Sequence, residues 1–184
     1  MYGNIVVAAD GSAHAARAVD LAARLAHGDA ARLVVVHVVE AGTLDDDMRH
    51  LAEAEHLSAT RPGSDLMLSG VPEWMHEAVR VVQNTGEDQQ VLARLGEMVL
   101  ERAVAAARRA GAERVEQALE HGAPARAIIE VVRREKADLL VMGSRGLSDL
   151  KGLVFGSVSH RLAHLAPCTC ITVSDPAGDA HGVR

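Results

Sequence analysis

The chain of 184 residues contains few aromatic side chains and no cluster of basic residues. Phe, Trp and Tyr together make up 2% of it, against 48% for all apolar residues, so the core has to be built from small aliphatic side chains. Proteins that bind single-stranded nucleic acid stack bases on aromatic rings, and those that bind a duplex place Lys and Arg on its phosphates. With so few rings and a formal net charge of −6, we expect no nucleic-acid partner.

Long apolar runs and a cysteine framework are also missing. A bilayer-spanning helix needs about 20 consecutive apolar residues, whereas the N-terminal run at 5–9 is short and follows no basic stretch. We therefore expect no signal peptide, no membrane partner and a cytoplasmic location. The two cysteines, Cys168 and Cys170, lack Cys-x-x-Cys spacing and a neighbouring histidine. We expect them to be free, buried thiols that serve packing.

Short β-branched runs alternate with helical periodicity, a pattern typical of βαβ units. We predict strands at 4–9, 32–39, 114–119, 139–142 and 170–173, with four helices between them. The fold class is thus α/β, an open five-stranded parallel sheet with helices on both faces. Polar residues alternate with apolar ones in the third strand, which predicts partial exposure. Residues that start or stop helices agree with these limits: Asp10, Ser12, Gly111, Pro124 and Pro167.

A long segment at 40–90 interrupts this rhythm, because strand-to-helix connections usually take about 2–6 residues. The segment contains eleven acidic and three basic residues, so the chain's negative charge lies here. We predict a mostly helical insertion within a single domain at 1–174, followed by a flexible tail at 175–184. The apolar residues of the insertion favour one of two structures. The first is a flap that packs on its own domain or on its dimer partner, and the second is a docking surface for another protein.

A glycine pattern follows the fourth strand, with Gly143, Gly146 and then Gly156-Ser157 opening an amphipathic helix. Glycine lets backbone N–H groups approach a ligand closely, and a helix N-terminus favours an anion, so the pattern predicts a phosphate cradle. Serine hydroxyls in this helix and the Arg145 guanidinium could add donors. The alternative is that the glycines serve turns only. The fingerprints of dinucleotide folds and P-loops are both missing.

The chain resembles the universal stress protein family. Gly143-x2-Gly146-x9-Gly156-Ser157 matches the spacing of its ATP-binding subgroup, and Asp10-Gly11-Ser12 after the first strand is similar to its N-terminal signature. The resemblance covers residues 3–39 and about 90–174 and implies a Rossmann-like fold of the adenine nucleotide alpha hydrolase type. It implies ATP, with or without Mg²⁺, as cofactor.

The resemblance also implies site positions. Asp10 would lie by the adenosine, the second strand would border the adenine, Gly122 would fall in a loop that closes over the nucleotide, and the glycine pattern would hold the phosphates. Ligands of open parallel sheets bind beyond the carboxyl ends of the strands, which agrees with these positions. The predicted ATP-binding residues are Asp10, Val36, His37, Val38, Gly122, Met142, Gly143, Arg145, Gly146, Gly156, Ser157, Val158 and Ser159. Asp10 has a second interpretation as a plain helix cap.

Metal or acid–base catalysis finds little support in the sequence. His160 and His164 are four residues apart, but no third ligand accompanies them, so we predict no metal site. No side chain near the predicted phosphates is a clear base for activating water. We therefore expect that the protein is not an enzyme and that it hydrolyses ATP slowly at most.

Three functions stay open. The first is an ATP-binding regulatory protein of a stress response, in which nucleotide occupancy modulates conformation or partner binding. The second is a nucleotide-free dimeric interaction module that docks a partner through the acidic insertion. The third is an ATP-consuming enzyme with its substrate site under the insertion. The glycine spacing favours the first. The resemblance further implies a homodimer through the last strand, from Cys170 to Val173.

Overall fold

The computed structural model describes residues 1–39, 89–146 and 156–174. Nearly all of the predicted insertion and the predicted tail lie outside these ranges. The helices and strands, in chain order, are β1 (Asn4–Ala8), α1 (Ala13–Asp29), β2 (Arg32–Val39), α2 (Gln89–Arg109), β3 (Arg114–His121), α3 (Pro124–Arg134), β4 (Leu139–Gly143), α4 (Ser157–Leu165) and β5 (Thr169–Val173). All five predicted strands are present, each within two residues of its predicted limits.

The strands form one parallel sheet in the order β3-β2-β1-β4-β5. Val6 of β1 lies between Val34 of β2 and Leu140 of β4 in the register. The chain builds β2 and β3 outward on one side of β1 and then returns to place β4 on its other side. The strand order therefore reverses between β1 and β4, and ligands of open α/β sheets bind at the carboxyl edge of such a point. The predicted parallel sheet is confirmed.

Two apolar layers cover the sheet. The layer beneath α1 and α2 contains aliphatic side chains such as Ile5, Val7 and Leu33. The layer beneath α3 and α4 contains Val6, Leu140 and their neighbours. The central strands β1, β2 and β4 are buried on both faces, which explains their continuous aliphatic runs. The edge strand β3 is partly exposed, as its polar alternation predicts.

Helix-capping residues act largely as the sequence predicts. The Ser12 hydroxyl accepts a hydrogen bond from Ala15 N at 3.1 Å and caps α1. Asp10 supports this cap instead of forming it, because its Oδ1 accepts from Ser12 N at 2.9 Å. Gly11 between them has a φ of 86°, a conformation that glycine adopts without strain. Pro124 is the first residue of α3.

The cysteines differ from expectation in their burial. Cys168 and Cys170 are free, but both are half-buried, because β5 is an edge strand with one side open. The two residues pack on the layer beneath α3 and α4. Burial raises the pKa of the Cys168 thiol to about 11, so the thiol is protonated near neutral pH. No helix within the described ranges is long and apolar enough to cross a membrane.

Charged side chains at the amino edge of the sheet are used in structural contacts. The Asp138 carboxylate accepts hydrogen bonds from Gly3 N and Asn4 N, at 2.8 and 2.9 Å. The Arg32 guanidinium pairs with Glu116 on the neighbouring strand and with Glu135 after α3. These contacts join strand starts to helix ends. These charged groups at the amino edge are thus already paired within the fold.

Gly96 lets α2 pack closely on the sheet. A Cβ atom at this position would lie 2.8 Å from Leu119 Cδ1 and 2.9 Å from both His37 Cδ2 and Val39 Cγ2. Real Cβ atoms essentially never approach so closely. A glycine in the middle of a helix costs about 1 kcal/mol relative to alanine, and here the close contact with the sheet offsets that cost. Gly28, in the last turn of α1, has no such neighbour within 4 Å.

We predict opposite effects for alanine at these two glycines. Gly96→Ala should lower the free energy of unfolding by about 1–3 kcal/mol, because the added methyl group overpacks the interface with β2 and β3. Gly28→Ala should raise it by up to about 1 kcal/mol through helix propensity. Urea unfolding at one fixed protein concentration measures both. An equal or higher midpoint for Gly96→Ala would contradict the packing described here.

Candidate functional site

Two chain segments meet where β1 and β4 end. A Cβ atom at Gly146 would lie 2.7 Å from Asp10 Oδ2, and one at Gly143 would lie 2.9 Å from His14 Cβ. Glycine at 143 therefore lets α1 approach the end of β4, and glycine at 146 leaves room for the Asp10 carboxylate. Neither has a positive φ, unlike Gly122, so a turn conformation does not explain them. The structure brings together the predicted Asp10 and the predicted glycine loop, which we define as residues 143–146.

The N-terminus of α4 lies against the same loop. Gly156 is its N-cap residue, with φ −72° and ψ 156°, and Gly156 N donates to Ser144 O at 2.8 Å. The first bond within the helix runs from His160 N to Gly156 O. The N–H groups of the preceding turn, at Ser157, Val158 and Ser159, are those that a helix leaves without an internal partner. Such a turn, with its partial positive charge, suits a phosphate.

The end of β2 is tied to the turn after β1. Ala9 N donates to Val36 O at 2.9 Å, and His37 Nδ1 lies 2.7 Å from Ala9 O. Because a carbonyl oxygen only accepts, Nδ1 bears the proton in this contact. Burial lowers the pKa of His37, so the ring is neutral near pH 7. The side chains of Val36 and Val38 pack into the apolar layer beneath α3 and α4. Of the predicted adenine-bordering residues, His37 thus lies beside the turn that contains Asp10.

Gly122 and Met142 occupy different surroundings. Gly122 follows β3 with a φ of 109°, and its N–H donates to Val39 O at 3.1 Å. It places the loop before α3 at the carboxyl edge of the sheet. Met142 is buried in the core layer beneath α3 and α4. Only the backbone of Met142 is therefore available to a ligand at this edge.

The two serines predicted as hydroxyl donors differ in exposure. Ser157 is exposed at the start of α4, whereas Ser159 is buried. The Ser159 hydroxyl lies 2.7 Å from Ser144 O and 3.0 Å from Gly156 O, and it donates within the loop. Arg145 belongs to the glycine loop, and its Cα lies 3.6 Å from where a Cβ of residue 156 would be. The hydroxyl available to a ligand is that of Ser157.

Metal-ligating side chains do not converge in the described ranges, where no three of His, Cys, Asp and Glu are grouped. The rings of His160 and His164 meet edge to face, with centroids 4.8 Å apart. They contact each other on the surface of α4, which needs no metal ion to explain it.

Sequence reasoning missed His14 and Ser144. His14 is buried at the start of α1, and its Nδ1 lies 3.0 Å from Ser144 Oγ. No spacing rule connects two residues 130 positions apart in the chain. The only available signal was a histidine at the second position of the helix that follows Asp10-Gly11-Ser12.

We predict that His37 makes stability depend on pH. Its lowered pKa means that the unfolded chain binds the proton more tightly, so this residue's contribution is complete above about pH 6.5 and is lost as the pH falls. In His37→Gln, the free energy of unfolding should decrease less between pH 7.5 and 5.5 than in the wild type. His121→Gln, at an exposed strand end, is the control and should keep the wild-type slope. Identical slopes in all three proteins would contradict the prediction.

Comparisons with known proteins agree with this fold. A family model described as the universal stress protein family matches residues 1–174. The chain is 32% identical to a universal stress protein of Thermus aquaticus and 30% identical to universal stress protein YxiE of Bacillus subtilis, covering 94% of this chain and 99% of each relative. The crystal structure of a universal stress protein in complex with cAMP shares 26% identity at a TM-score of 0.59, over 94% of this chain and 97% of that one. The chain therefore belongs to the universal stress protein family.

Proposed function

We propose that this protein binds an adenine nucleotide, ATP with or without Mg²⁺, at the carboxyl edge between β1 and β4, and that occupancy modulates its conformation or partner binding in a stress response. The observation that supports this most directly is the convergence of three features at one point. Asp10, the glycine loop and the N-terminus of α4 all lie where the strand order reverses. A nucleotide can span such a point with its base on one side and its phosphates on the other.

The phosphate end of the proposed site relies on backbone donors. Glycine at 143 and 146 places no side chain over the backbone at these two positions, and Ser157 begins a helix whose first turn favours negative charge. The adenosine end lies beside Asp10 and His37, where the neutral ring fixes the turn after β1. The relative with 26% identity binds cAMP in its crystal structure, which supports the same class of ligand here.

The proposal includes no dedicated catalytic turnover. The Asp10 carboxylate, which lies against the loop, is held by Ser12 N and by its packing on Gly146. A base that activates water for attack on a phosphate needs to reach the reacting centre. Fixed at the start of α1, Asp10 serves the ligand's orientation, and slow hydrolysis is the most we propose.

We also propose a homodimer through β5. Thr169 N donates to Asp138 O and Ser144 N donates to Val173 O, so odd-numbered residues of β5 bond toward β4. Because backbone groups alternate along a strand, the N–H and C=O groups of Cys170 and Thr172 face the outer side. A second copy of β5, running antiparallel across a two-fold axis, would satisfy them. The acidic insertion could add a protein partner.

Calorimetric titration with ATP, AMP, cAMP and adenosine tests the nucleotide site. Gly156→Val should weaken ATP binding by about a hundredfold or more, because a branched side chain would displace about two charge-assisted hydrogen bonds at the start of α4. It should change adenosine binding much less. Gly156→Ala is the matched control, since a Cβ there makes only ordinary contacts at 3.6 Å.

Asp10→Asn tests the other end. Asparagine keeps an oxygen acceptor for Ser12 N and removes the charge, so α1 stays capped while affinity for ATP, AMP and adenosine falls to a similar extent. If the wild type binds none of these ligands below the millimolar range, or if Gly156→Val binds ATP as the wild type does, the proposed site is wrong. A protein that dimerises without binding nucleotide would support the alternative of a nucleotide-free interaction module.

The dimer makes a separate prediction. Thr172→Pro removes an outward-facing donor and should convert the dimer to a monomer in sedimentation velocity, with helical circular dichroism retained. Ile171→Pro removes a donor to β4 instead, so it should lower the free energy of unfolding. A wild type that sediments as a monomer at micromolar concentration would refute the dimer.

A further inference from the structure

Ser144 makes hydrogen bonds to several elements of the protein, although no sequence motif predicts this role. Its N–H donates to Val173 O at 2.8 Å, and its carbonyl accepts from Gly156 N at 2.8 Å and from the Ser159 hydroxyl at 2.7 Å. Its own hydroxyl lies 3.0 Å from His14 Nδ1 and accepts from Ser174 Oγ at 3.2 Å. We call these five hydrogen bonds the Ser144 junction. The junction links α1, the glycine loop, the start of α4 and the end of β5.

The position of Ser144 determines where the neighbouring backbone lies. Ser144 is 3% exposed and His14 is 7% exposed, so their contact is shielded from water. Removing one partner of a buried hydrogen bond destabilises the protein, because water cannot replace the lost bond. The imidazole therefore restrains the Ser144 side chain, and through it the two flanking glycine-loop residues, Gly143 and Arg145.

The hydrogen bond made by the His14 imidazole and the packing contact made by His14 Cβ can be tested independently. The atom of His14 that abuts Gly143 is Cβ, which lies 2.9 Å from where a Cβ of residue 143 would be. Every residue except glycine retains that Cβ. Replacing the ring thus alters the hydrogen bond to Ser144 while leaving the contact between α1 and β4 in place.

We propose that His14 is a positioning residue for the phosphate end of the site, acting through Ser144 to hold the glycine loop against the start of α4. The ring does not need to touch the ligand. Its bond to Ser144 Oγ fixes one side of the junction, and the bonds from Gly156 N and Ser159 Oγ to Ser144 O fix the other. The part of this proposal that concerns ATP rests on the proposed function; the part that concerns the loop does not.

Amide hydrogen exchange of the ligand-free protein tests the loop directly. In His14→Leu, which fills the space without a polar atom, the Gly156 amide should exchange about tenfold faster or more, because Ser144 O is no longer held in place. His14→Asn places an amide group where Nδ1 lies and should return exchange to within about threefold of the wild type. Val19→Ala, which truncates a buried side chain of the same helix, is the control for general destabilisation. It should show no selective effect at Gly156.

Titration with ATP and adenosine supplies the second readout. His14→Leu should weaken ATP binding about tenfold and change adenosine binding by less than about threefold, with His14→Asn again close to the wild type. A wild type that binds neither ligand refutes the proposed function, and exchange at Gly156 then decides on His14. The proposal for His14 is overturned if His14→Leu leaves that exchange unchanged, or if Val19→Ala at equal stability reproduces its effects.

Discussion

The close approach of the first turn of α1 to the end of β4 is the constraint on which the rest of the candidate site depends. Parallel strands β1 and β4 are neighbours in the sheet, so the segments that follow them leave the same edge side by side. Gly143 and Gly146 have no side chains to separate those segments, and α1 with Asp10 fills the space instead. With side chains at these two positions the segments would move apart, and the loop could not stay against both Asp10 and the start of α4.

The two edges of the sheet solve different problems. At the amino edge, Asp138 and Arg32 bond to backbone and side-chain groups of neighbouring elements, so these charges are paired within the fold. At the carboxyl edge, α1 and α3 also begin, and the N-cap residue of α4, Gly156, donates its N–H to Ser144 of the glycine loop. Helix N-termini attract anions, while buried apolar layers beneath them resist rearrangement. A rigid sheet thus positions a small polar site made mostly of backbone atoms.

Most of the fold could be predicted from the sequence because its signals are local. Aliphatic runs bounded by helix starts and stops identify the strands, and glycine spacing identifies the loop at 143–146 together with the cap of α4. The contacts that position the loop are not local. His14 and Ser144 become neighbours only once β1 and β4 pair, and the need for glycine at 96 arises from three side chains on two different strands. Periodicity cannot reveal such pairings, since it reports which face a residue occupies and not its neighbour across the fold.

The Ser144 junction also connects the two surfaces of this protein that matter most for its proposed role. Ser144 N bonds to Val173 O at the end of β5, and Ser174 follows directly and donates to the Ser144 hydroxyl. The outward groups of Thr172 belong to the same strand and lie one residue before Val173. A shift of the glycine loop on binding a ligand would change hydrogen bonds at the end of the edge strand without passing through the apolar core. If ligand binding changes the affinity of that strand for a second copy, then by thermodynamic linkage pairing with the second copy changes the affinity for the ligand.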